Sequence, residues 1–273
     1  MPTTTEIPDS ELDALLELAQ SLAIEAGELV QSMRSSVDLD GDTKSSTVDV
    51  VTAADRAAEA LIVDRLGSER PDDGILGEEG TGTTGTTGRR WIIDPIDGTT
   101  NYIYGVPSYG VSVAVEIGGE LMVGVVYEPV FDRCYAARSG GSATKNGVVI
   151  HANSDPSVET ALVATGFGYI AERRRGQAEV LVELLPQVRD IRRFGSAALD
   201  LCYLAEGMVD AYYERGLNRW DLAAGTVIAR AAGARVADLN GLEPSEDFTL
   251  GANPALFERL QTILTAAQAT QKP

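Results

Sequence analysis

The chain reads as an α+β first half followed by an α/β second half, and three observations carry that reading. Two helix-period stretches come first. Strands then follow near 109 to 117, 121 to 127 and 133 to 138, separated only by "GGE" and "EPVFD", which is the pattern of an antiparallel meander. From about residue 150 strands and helices alternate, as in βαβ units. At 273 residues and 44% hydrophobic, the chain can bury one large or two modest cores. The division expected is 1–150 and 151–273. No linker composition marks the join, so the halves are expected to share an interface.

Taken in order, residues 1 to 9 are expected to fray, and Asp9 or Ser10 can cap a helix to about residue 34. Leu12, Leu15, Leu16, Ala19, Leu22, Ala23, Ala26 and Val30 share its apolar face. "SSVDLDGDTKSS" is a polar loop with Asp-Gly turn chemistry, and a second helix is expected over 53 to 66. "PDDGILGEEG" holds a short strand ending in Glu78-Glu79, and "TGTTGTTG" reads as a flexible linker. The apolar run of "RRWIIDPIDGTTNY" is strand material, and Pro95, which lacks a backbone donor, ends regular pairing there. In the second half, strands are expected at "ALVATGF", "DIRRF", "VDAYYE" and "ARVAD", and helices near 171 to 185, 196 to 206, 222 to 232 and 255 to 268.

Composition narrows the partners. With 41 acidic against 22 basic residues, the formal net charge of -19 repels nucleic acid and anionic lipid, so neither is an expected partner. Cations are the natural ligands. Cys134 and Cys202, each among apolar residues, read as buried thiols of a reducing compartment. "MPTTTEIPDS" has no basic segment followed by an apolar one, and no run approaches the ~18 apolar residues of a membrane span, so a cytoplasmic protein is expected.

The acids at strand ends carry the chemistry. Asp94 and Asp97 flank Pro95-Ile96, and a short helix can begin at Asp97 or Gly98, leaving unpaired N–H groups aimed at whatever the acids hold. Carboxylate oxygens suit Mg2+, and the amides suit a phosphate bridged to it. On spacing alone, this reading and an Asp-capped ordinary turn stand level. Glu78 and Glu79 end an apolar strand, but as a lone pair they read as solvated. Asp221, before a small-residue helix, reads by itself as that helix's N-cap, and Asp55 has the same competitor. His151 is the one histidine, placed in a surface turn, and the sequence has no G-x-x-x-x-G-K-[ST] loop, G-x-S-x-G elbow or C-x-x-C pair. Enzyme chemistry here is therefore that of carboxylates and metal.

Taken together, "KSSTVDVVTAAD", "ILGEEG", "WIIDPIDGTTNYIYGVP", "IRRFGSAALDLC" and "DAYYERGLNRWDLAAG" resemble the inositol monophosphatase family, in family order across nearly the whole chain. W-x-x-D-P-x-D-G-T-x-N-[FY] with a downstream W-D-x-A-A-G is a specific pair of motifs. The resemblance implies a layered αβαβα sugar-phosphatase fold, with an antiparallel sheet in the first half and a mixed sheet in the second. It also implies a lithium-sensitive phosphomonoesterase with about two to three Mg2+ ions per subunit. Glu78, Asp94 and the carbonyl of Ile96 would hold one ion, and Asp94, Asp97 and Asp221 another. Gly98 and Thr99 would offer amides to the phosphate, Asp55 would pair with Thr99 to orient the attacking water, and Glu79 would stand near a metal water. Glu214, Asp97, Asp221 and the backbone near Ala197 would bind the hydroxyls of a small phosphorylated polyol, and Asn218 and Arg219 can line the entrance. A homodimer is implied as well.

The leading activity implied is hydrolysis of inositol 1-phosphate. Histidinol-phosphate phosphatase is the alternative on the same scaffold, and a regulatory protein-binding role in transcription is the alternative of a different class.

Overall fold

In a computed structural model, residues 7–35, 47–154 and 156–269 are described, the side chains of 35, 47–52 and 269 excepted. The frayed start expected over 1 to 9 lies outside them up to residue 6. The polar loop expected after the first helix, and the "KSS" of the first motif, lie outside them as well.

Helices α1 (Asp9–Ser35) and α2 (Thr47–Glu69) lead into β1 (Gly74–Gly77), β2 (Gly82–Thr83) and β3 (Arg89–Asp97), then the six-residue α3 (Thr99–Tyr104). The meander follows as β4 (Gly110–Ile117), β5 (Glu120–Glu128) and β6 (Arg133–Arg138), with β7 (Thr144–Lys145) and β8 (Val148–Val149) at its edge. The second half runs β9 (Leu162–Thr165), α4 (Ala171–Leu184), β10 (Asp190–Arg192), α5 (Ala197–Ala205) and β11 (Ala211–Glu214). It ends with α6 (Arg219–Ala231), β12 (Arg235–Ala237), β13 (Thr249–Ala252) and α7 (Pro254–Ala269).

These elements stack in five layers. The apolar stripe of α1, with Leu12, Leu15, Ala19, Leu22, Ala23, Ala26 and Val30 buried, lies with α2 on one face of an eight-stranded sheet ordered β2-β1-β3-β4-β5-β6-β7-β8. On the other face α5 and α6 form the middle layer, shared with a five-stranded sheet ordered β10-β9-β11-β13-β12. The far face of that sheet is closed by α4 and α7 through Val180, Leu184, Leu256, Phe257 and Leu260. The middle layer explains its own composition. Gly124 and Gly225 allow α6 to approach β5 and α5 so closely that a Cβ on either would meet Ala224 backbone or the Leu201 side chain. Among the described residues no helix is long and apolar enough to cross a membrane. Cys134 and Cys202 are buried and free.

Two expectations need correction, one is met in detail, and one strand was not foreseen. The first sheet is mixed rather than antiparallel, because β1 pairs parallel to β3. "TGTTGTTG" is not a free linker: β2 pairs with β1, Ile75 N donates to Thr83 Oγ1 at 3.1 Å, and Thr87 Oγ1 donates to buried Asp73 at 2.6 Å. Local polarity read as flexibility, while the hydroxyls supply tertiary partners. Regular pairing does end at Pro95 as expected: pairing with β4 stops after Asp94↔Ser112 and resumes at Asp97↔Gly110, so residues 95 and 96 form a bulge and β3 runs on to Asp97. Finally, "TLGA" forms β13, too short and too Gly/Thr-rich to stand out, which joins β11 to β12.

Candidate active site

Every segment carrying an expected acid except that of Asp55 reaches one cleft of about 360 Å³. It is lined by Glu78, Asp94, Ile96, Asp97, Gly98, Thr99, Ala197, Glu214, Asn218 and Asp221, and by Arg173 and Arg193. The parallel β1–β3 pair places two of the acids. Glu78 N donates to Ile93 O at 3.2 Å, so the residue leaving β1 stands beside the end of β3. The bulge then turns Asp94 and Asp97 to the same opening. Asp94 Oδ1 accepts from Ile96 N at 3.1 Å, closing the turn on itself.

Asp97 is held from the second half: Ser196 Oγ and Ala198 N both donate to its Oδ2 at 2.6 Å. Asp221 is not the N-cap of α6. Asn218 is, and Asp221 sits at the third helical position, where its Oδ2 accepts from Asn218 N at 2.6 Å in a capping box. The helix therefore starts three residues earlier than the sequence pattern suggests, and its first turn projects Asp221 into the cleft.

Oxygens of Asp94, Asp97 and Asp221 all lie within 4.8 Å of one another. The carboxyls of Glu78 and Asp221 each share a hydrogen bond with Asp94, which is the centre of the group. This crowding shows in the protonation. Burial first, then the charges of Glu78, Asp97 and Asp221, push Asp94 well above the carboxylate range. Burial and Asp221 raise Asp97 to about 7, against hydrogen bonds that lower it. Burial raises Asp221 to about 6, with Glu78 adding to it. Glu78 itself keeps an exposed side and is raised by burial of its carboxyl and by Asp97 and Glu79. Four carboxyls without a neutralising cation form a hard-oxygen donor set, which fits Mg2+ in kind and in charge.

On the phosphate side, Gly98 begins α3 at φ 95, a left-handed conformation that a side chain would strain; a Cβ there would also crowd Ser108 O at 2.9 Å. Thr99 Oγ1 donates to Ile96 O at 3.1 Å. The expected pairing of Thr99 with Asp55 is thus not the bond its hydroxyl makes here. Asp55 is buried on α2, which packs against α3, and its Oδ1 has no partner among the described residues. Burial first, and Glu79, Glu78 and Glu59 after it, raise Asp55 to about 8.

Glu79 does not line the cleft and lies 3.7 Å from Arg56. Glu214 ends β11, accepts from Tyr212 Oη at 2.9 Å, and is raised to about 7 by burial. Ala197 is the first residue of α5, next to its capping Ser196. Asn218 reaches the cleft, but Arg219 does not line it: its guanidinium pairs with Glu116 at 2.8 Å. His151 is exposed, away from the cleft.

Sequence reasoning passed over three supports. Glu59, 3% exposed, accepts from Glu79 N, Thr81 N and Thr81 Oγ1 at 2.9, 3.1 and 2.6 Å, and so fixes the turn that carries Glu78. Its signal was the four-residue spacing from Asp55 on one helix face. Ser196 was legible as a cap before "AALDLC" but not as a partner of Asp97. Asp200, 1% exposed with Oδ1 unpartnered, stands behind Glu214 and Asp97, and nothing in its helical pattern distinguishes it.

Comparison with known proteins bears on the whole arrangement. The model of the inositol monophosphatase family matches residues 11–271. The inositol-1-monophosphatase SuhB of Mycobacterium tuberculosis is 44% identical over 247 residues, covering 84% of this chain and 85% of that one. The Nus factor SuhB of Vibrio cholerae is 38% identical over 230 residues, covering 83% and 86%. A solved structure of Mycobacterium tuberculosis SuhB superposes with a TM-score of 0.83 at 38% identity, covering 96% of this chain and 100% of that one. Identity and coverage of this order exceed what a shared architecture alone produces: the protein is a phosphoric monoester hydrolase, and the chain belongs to the inositol monophosphatase family.

Proposed function

We propose that the protein is a Mg2+-dependent phosphatase of inositol 1-phosphate that transfers the phosphoryl group directly to water. The observation that carries this reading is the convergence of Glu78, Asp94, Asp97 and Asp221, from both halves of the chain, on a cleft that also holds Glu214.

Glu78, Asp94, Asp97, Asp221 and the Ile96 carbonyl would hold the ions. Bound there, Mg2+ would reverse the negative field of the acids and activate water at neutral pH. The chain's own groups supply the rest. Gly98 and Thr99 present amides at the start of α3, where a phosphate oxygen finds donors and no side chain intervenes. Asp55, buried on α2 against α3, would pair with the Thr99 hydroxyl once that hydroxyl turns from Ile96 O, and the pair would orient the attacking water. Glu79, anchored through its amide to Glu59, would stand near a water held by the metal. Glu214 Oε2 is occupied by Tyr212, which leaves Oε1 to accept from a substrate hydroxyl. We include in this reading a cytoplasmic, homodimeric enzyme whose substrate is a small phosphorylated polyol.

A phosphate-release panel of inositol 1-phosphate, histidinol phosphate and fructose 1,6-bisphosphate, with Mg2+ and with EDTA, tests it. Release that requires Mg2+ and is fastest for inositol 1-phosphate is expected. Fastest release from histidinol phosphate would transfer the assignment to that substrate, and release equal in EDTA would end the metal reading.

Glu214 has its own check. A Cβ on Gly166 would overlap the Glu214 carboxylate. Gly166→Ala is therefore expected to raise KM for inositol 1-phosphate by about tenfold, within the range of a lost polar contact, while Mg2+ binding by calorimetry stays near wild type. An unchanged KM would remove Glu214 from the alcohol site. The name of the Vibrio cholerae relative favours a second reading, a regulatory partner in transcription, which can coexist with catalysis.

A further inference from the structure

Two cations line the cleft, and they differ. Arg173 is committed: its Nη2 lies 3.3 Å from Glu246 Oε1 and its Nη1 3.5 Å from Gly216 O. Arg193 is exposed and makes no hydrogen bond or ion pair among the described residues, whereas its neighbour Arg192 pairs with Asp190 at 2.7 Å. The Arg193 guanidinium is not loose in solvent, however. It lies against the backbone of Gly195, where a Cβ would overlap it, and Gly195 leads directly into the Ser196-Ala197-Ala198 turn that grips Asp97. Glu214 and Asp200 both feel its positive charge, which lowers each of them against their burial.

We infer that Arg193 is a specificity-determining residue for the alcohol half of the substrate, selecting neutral polyols over amino alcohols. The inference rests on the phosphatase reading above and adds the chemistry of the leaving group to it. A guanidinium has five N–H donors and no acceptor, and the free oxygen of Glu214 is an acceptor. A hydroxyl that donates to Glu214 keeps lone pairs for Arg193, so vicinal hydroxyls satisfy both. An ammonium can satisfy Glu214 but is repelled by Arg193. With Arg193 in place its charge offsets that of Glu214; without it the wall beside Glu214 is more anionic and welcomes a cation. The same residue thus supports a polyol and excludes its charged competitor.

The test is Arg193→Gln, with Arg192→Gln as the neighbouring control, assayed on inositol 1-phosphate and histidinol phosphate. In Arg193→Gln the kcat/KM ratio of polyol to amino alcohol is expected to fall about 10- to 100-fold, chiefly through a higher KM for the polyol and a lower one for the amino alcohol. Arg192→Gln is expected to leave the ratio where it was. A uniform loss on both substrates, or a ratio that does not move, overturns the inference and makes Arg193 a structural or surface residue. Should the wild-type protein hydrolyse neither compound, the phosphatase reading itself fails and this inference with it, so the two failures are told apart by the wild-type rates.

Discussion

Asp94→Asn is expected to abolish Mg2+-dependent phosphate release while leaving the fold intact. Asp94 stands at the centre of the acids, sharing hydrogen bonds with Glu78 and Asp221, so it is the residue whose charge the cation site can least do without. Loss of several kcal/mol of charge stabilisation corresponds to about a thousandfold in rate. The fold should survive because the Asn carbonyl oxygen can still accept from Ile96 N, the bond that closes the bulge. In EDTA the variant should melt at or above the wild-type temperature, because a neutral amide relieves the repulsion that Glu78, Asp97 and Asp221 exert at that point. Kinetics with Mg2+ and thermal melts in EDTA read both effects. A variant that fails to fold would mean that Asp94 serves the structure first. Where a transcriptional phenotype exists, its survival in Asp94→Asn would assign that phenotype to protein contacts rather than to catalysis.

The second large effect is on stability, and its sign follows from the direction in which the acids are displaced. Asp97 and Glu214 are raised to about 7, Asp221 to about 6 and Asp55 to about 8, all above ordinary carboxylates. A carboxyl raised on folding holds its proton in the folded chain after the unfolded chain has released it. Its stabilising contribution is therefore complete below the unfolded pKa of ~4 and is lost as pH rises through the folded value. The metal-free protein should lose stability from about pH 4 to about pH 8, by an amount on the order of several kcal/mol summed over the cluster. For a chain of this size each kcal/mol moves the melting temperature by about 2–4 °C. Mg2+ binds the ionised acids, so it should raise the melting temperature strongly at pH 8 and little at pH 5. Melting in EDTA and in Mg2+ at the two pH values gives the comparison. A melting temperature in EDTA that climbs from pH 5 to pH 8 would show that the acids are not held against one another.

Both predictions depend on residues whose role differs in visibility. The motif around Asp94 and Asp97 is local, and the elements around it follow from local pattern too: the α1 stripe, the β4–β5–β6 meander and the alternation after residue 150 were each readable from periodicity. The supports were not readable. Thr83 and Thr87 look like linker residues until β1 and Asp73 give them partners. Glu59 looks like a solvated helix acid until the turn after β1 folds over it. Arg219 looks like an entrance residue until Glu116 claims it.

What the chain determined by itself was the inventory and its order: where the long helices and the main strands lie, which acids sit at their ends, and which family they match. Only the tertiary structure decided the distances. A parallel β1–β3 pair set Glu78 beside Asp94, a bulge at residues 95 and 96 turned Asp94 and Asp97 to one opening, and the middle helical layer brought in Ser196 and Asp221 from 99 and 124 residues beyond Asp97. The physical reason is range. Propensity, capping and periodicity act over a few residues, whereas the repulsion among buried carboxyls, and the cation it calls for, exist only once strands far apart in sequence have been packed side by side.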